Sequence, residues 1–143
     1  MPGKSDVFEN DILKLIFNAT AIAGLADNAA TSPLTNLYVS LHTADPGEEG
    51  TQSTKEADYT GYARVAVPRT TVGWTVTNNV AKPVSAITFP ACTGGSSTIT
   101  HFAIGTAASG AGKVLYSGAV SPSITVTAGI TPQLTTNTSV TED

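Results

Sequence analysis

From residue 37 onward the chain never sustains a long apolar run. A glycine, a proline or an asparagine pair interrupts it roughly once every ten residues. Long helices are excluded by such punctuation, and short strands joined by turns are favoured. Between the stops the apolar residues alternate. In Leu37-Tyr38-Val39-Ser40-Leu41-His42-Thr43, Leu37, Val39 and Leu41 share one face, with Tyr38, Ser40 and His42 on the other, the pattern of a half-buried strand. Further strands are predicted over Tyr62–Val67, ended by Pro68, and around Trp74–Val76, followed by an Asn78-Asn79 turn. Others are predicted over Val84–Phe89, closed by Pro90, and, after the Gly94–Ser97 turn, over Ile99–Ile104. Lys113–Ser117, Ile124–Thr127 and a segment near Gln133–Val140 complete the set. About eight short strands at this spacing predict an antiparallel β-sandwich or barrel over residues 37–140.

The first third is different. Asp6 and Glu9 have the spacing of a capping box. Phe8, Ile12, Leu15, Ile16 and Ala19 recur at helical spacing, and Leu13 and Phe17 widen the stripe. The spacing predicts a helix from about Asp6 to about Ala23 with Gly24 as its stop, then a linker over Asp27–Asn36. Its apolar stripe either packs on the chain's own sheet or reaches a neighbouring subunit.

The chain has 143 residues, one domain's worth, and the whole is read as a single domain. With 41% hydrophobic and only 13% charged residues, disorder over its full length is excluded. Abundant threonine and serine give a surface that is wet but weakly charged. No apolar stretch is long enough to span a bilayer. The N-terminal residues Lys4, Asp6, Glu9 and Asp11 do not read as a secretory leader. A net charge of −4 argues against coating nucleic acid, and no membrane partner is expected.

Chemistry is sparse. From Val72 to Thr141 there is no aspartate or glutamate, so a site in that half would lack an acid or base beyond His101, Lys82 and Lys113. This argues against an enzyme. Ser96 and Ser97 follow two glycines without the strand-to-helix elbow of a hydrolase. The stretch Gly105–Lys113 lacks phosphate-loop spacing and reads as a flexible connection. Cys92 is the single cysteine and reads as a small core filler. His42 and His101, strand residues, read as hydrogen-bonded to neighbours, and no metal or other cofactor is expected. The long polar loop Ala44–Thr60, carrying Asp45, Glu48 and Glu49, is of a length that is either functional or mobile. Tyr62, Arg64 and Trp74 are residue types that anchor interfaces, though they also form ordinary packed clusters.

The order of these pieces resembles a family. It is carried by Phe8–Phe17, Leu37–Pro46, Gly61-Tyr62-Ala63-Arg64-Val65, Trp74, Ile87–Pro90, Ile99–Ile104 and Gly112–Leu115. The chain resembles small virion structural proteins of tailed bacteriophages, often labelled tail-fibre-like, some of which are capsid cement or decoration proteins built as jelly rolls. The resemblance implies a jelly-roll-like sandwich with one N-terminal helix. It implies a virion location, on the capsid surface, after synthesis in the host cytoplasm. Its implied partners are the major capsid protein and the chain itself, as a homodimer or homotrimer. The resemblance brings no residue-level site. The candidate contacts are therefore physical ones: Phe8, Ile12 and Ile16 on the helix, Asp45, Glu48 and Glu49 in the loop, and Tyr62, Arg64 and Trp74. A capsid decoration role is favoured because no shaft-like repeat is visible. The alternatives are a tail-fibre or tail-adaptor component, with receptor or glycan binding, and a small enzyme or carbohydrate-binding module.

Overall fold

The structure, a computed structural model, describes residues 4, 6–22, 26 and 33–143. In chain order its elements are α1 (Asp6–Asn18), β1 (Asn36–His42), β2 (Val65–Pro68), β3 (Trp74–Thr77), β4 (Val80–Pro83), β5 (Ile87–Thr88), β6 (Ser97–Gly105), β7 (Val114–Val126), β8 (Gln133–Leu134) and β9 (Val140–Thr141). They form sheets of order β2-β1-β6-β7, β3-β4-β9 and β5-β8. Among the described residues, those in strands far outnumber the 13 in the helix, so the mainly β, antiparallel class with one N-terminal helix is correct. The contacts gather into two compact units, each built from separate stretches of chain.

The first unit comprises the chain to Asn36, Val67–Ala86 and Leu134–Asp143. Here α1 lies on β3 and β4. Its most covered residues are Glu9, Leu13 and Phe17, spaced four apart on one face. Phe8, Ile12 and Ile16, expected at the centre of the buried stripe, form its less covered shoulder. Trp74 is 1% exposed and meets the Phe17 ring edge-on at 4.7 Å. The helix stops at Asn18, five residues short of Ala23. Ala19 takes a left-handed φ of 52°, and the Thr20 N–H returns to the Lys14 carbonyl. Gly24, the expected stop, lies outside the described residues. Arg69 completes the helix end, donating to the carbonyls of Leu15 and Ile16 at 2.6 Å each and of Leu34 at 3.1 Å. A cation there meets both the orphan carbonyls and the negative end of the helix dipole.

Asn78 and Asn79 both have positive φ, 49° and 58°, and join β3 to β4 in a two-residue turn as their dipeptide predicts. Strand β4 itself was not expected. Lys82 and Pro83 hide its pattern, yet it pairs with β3 on one side and β9 on the other. The Asn79 amide then donates to the Glu142 carbonyl at 2.9 Å and to the buried Glu9 carboxylate at 3.4 Å.

The second unit comprises Leu37–Ala66 and Ile87–Gln133. Strand β1 pairs with β6 from Tyr38↔Gly105 to His42↔His101. Leu37, Val39 and Leu41 are core residues, with Ile99, Ile104 and Val126. Where two strands were expected, over Lys113–Ser117 and Ile124–Thr127, one continuous β7 runs beside β6. It steps register between Ile99 and His101, where residues 120–123 bulge opposite Thr100. The bulge carries Pro122, a residue sheets accept on edge strands, and β7 is the end strand of its sheet. The expected Val84–Phe89 strand contracts to β5, and the Gln133–Val140 segment to two short strands. Cys92 is buried, as a core filler should be.

Candidate functional site

The second face of β1 departs from the half-buried expectation. Ser40 and His42 are both fully buried, because the chain after β1 folds back over them. Backbone bonds fix that return: Ala57 N–H to the Leu41 carbonyl and Thr43 N–H to the Lys55 carbonyl, both 2.8 Å. Four polar side-chain groups then complete the attachment.

His42 lies between the Thr54 carbonyl, 2.8 Å from Nδ1, and Ser40 Oγ, 2.8 Å from Nε2. A carbonyl only accepts, so Nδ1 carries the proton and Nε2 accepts from the Ser40 hydroxyl. Burial holds the imidazole below its ordinary pKa, outweighing the bond to Thr54, which favours the cation.

Gln52 is also fully buried. Its amide donates to the Tyr38 carbonyl at 3.1 Å, and its Oε1 accepts the Ala107 N–H at 3.0 Å. Gly105 and Gly112 make room for it. A Cβ on Gly105 would sit 2.2 Å from Gln52 Cδ, and one on Gly112 2.2 Å from Gln52 Oε1. The glycines of the expected flexible connection are thus the walls of a slot for this side chain.

The Arg64 side chain is 2% exposed and clamps Glu56 through two bonds, Nε to Oε2 at 2.7 Å and Nη2 to Oε1 at 2.9 Å. Its remaining donors reach the Ala107 carbonyl at 2.9 Å and the Gly110 carbonyl at 2.6 Å. The bond to Glu56 holds the guanidinium above its ordinary pKa. Tyr62 donates to the same carboxylate at 2.8 Å and accepts the Leu41 N–H at 3.1 Å. Burial pushes its ionisation far above the phenol range. The Tyr62 ring also packs on Tyr59, edge-on at 5.4 Å, and on Phe89, stacked at 6.5 Å. Ser97, 6% exposed, ties Asp58 to the start of β6 at 3.2 Å.

The Ala44–Thr60 loop therefore has two parts. Residues 50–60 are fastened to the sheet, whereas Asp45, Gly47, Glu48 and Glu49 form an exposed acidic tip, turned by Asp45 accepting the Gly47 N–H at 2.9 Å. Tyr62 and Arg64 belong to the fastening. Trp74 stands in the core of the other unit. Phe8 is 39% exposed at the start of α1. Among the described residues no three of His, Cys, Asp and Glu gather as a metal site, and no helix is long and apolar enough to cross a membrane.

Gln52 and Glu56 were missed from the sequence. Both are polar residues in a polar loop, and the only hint was the pair of glycines that Gln52 requires.

Fold and cluster together define a small, mainly β body whose long loop is attached by buried polar side chains. Over residues 3–141 the sequence matches the family described as podophage GP4 fiber I protein gp80, and the chain belongs to that family. It is a phage virion structural protein. No curated protein matches it.

Proposed function

We propose that this protein is a component of the phage fibre, acting by binding neighbouring virion proteins and not by catalysis. The observation that carries this is the extent of the family match, residues 3–141 of 143. A match of that extent supports reading the family's fibre description onto this chain. The polar groups that acid–base chemistry would use support a binding role. His42 and Ser40 are fully buried, and Glu56, Tyr62 and Arg64 bond one another and the backbone. Such bonding suits a frame that presents loops at fixed distances. A weakly charged, net acidic chain also suits protein partners better than nucleic acid. Copies of the chain itself and adjoining virion proteins are the partners proposed.

Quantitative mass spectrometry of purified particles tests the location. A few copies per particle, with antibody label at the tail, is the expected result. Hundreds of copies spread over the head would overturn the fibre role and restore the capsid decoration role, with the major capsid protein as partner.

A further inference from the structure

We draw no further inference here: the strongest candidate, the recess of about 440 Å³ between the start of α1 and the β3–β4 turn, lined by Val7, Asn10, Asn78 and Asn79, carries nothing because its neutral carboxamides suit a sugar, a peptide and water alike and nothing in the structure shows what covers it.

Discussion

Replacing Arg64 with methionine keeps most of the side-chain volume and removes the charge. The guanidinium makes four bonds, two to Glu56 and one each to the carbonyls of Ala107 and Gly110. Breaking a buried ion pair from one side costs about 3–5 kcal/mol, because the abandoned charge stays poorly solvated. Glu56 is 18% exposed and keeps the Tyr62 hydroxyl, which places the expected loss at the lower end, about 3 kcal/mol. With a urea slope of about 2 kcal/mol/M, the midpoint should fall by about 1.5 M. Arg64→Lys should recover less than half of that, since one ammonium cannot hold both carboxylate oxygens and two carbonyls together. Glu56→Gln combined with Arg64→Met should cost clearly less than the sum of the two single changes. A midpoint shift under about 0.5 M for Arg64→Met, or additivity in the double variant, would refute the clamp as a fastening of the loop.

Gly105→Ala should destabilise by about 1–3 kcal/mol in thermal unfolding, because its Cβ displaces Gln52, and by much less in a Gln52→Ala background. Equal cost in both backgrounds would contradict the slot. Because burial lowers the pKa of His42, the folded chain binds fewer protons there than the unfolded one. The stability it contributes is complete above about pH 6.5 and is lost as pH falls from there through the folded value, at no more than about 1.4 kcal/mol per pH unit. Urea midpoints between pH 7.5 and 5.5 should show this fall, and His42→Gln should flatten it. In the first unit, Leu13→Ala should cost about 3 kcal/mol by chemical denaturation and Phe8→Ala less than about 1, reversing the order that the original helical stripe suggests.

What was legible in the sequence is what local periodicity encodes. Alternation in Leu37–Leu41 placed β1 and its core face, and Asn78-Asn79 announced its turn. What escaped depends on distant chain. His42 and Ser40 read as a solvated face because nothing local says that residues 50–60 return to cover them. Helix α1 is amphipathic over a wide arc, so the stripe alone could not decide between Ile12 and Leu13. The sheet buried Leu13 and Phe17 and placed Trp74 against the Phe17 ring. Strand β4 was hidden by Lys82 and Pro83, and β7 was read as two strands because Pro122 interrupts it, which an edge strand tolerates. The Glu56–Arg64 clamp joins residues eight apart in a loop, a spacing that no helical or strand period marks.

Native-state amide hydrogen exchange tests most directly whether the long loop is part of the frame. The amides of Thr43, Gln52, Ala57 and Ala107 donate to Lys55, Gly112, Leu41 and Gln52 respectively. They should therefore exchange as slowly as those of β1 and β6, while those of Glu48 and Glu49 exchange at rates near those of free peptide. Fast exchange across the whole of 43–60 and at Ala107 would contradict the account.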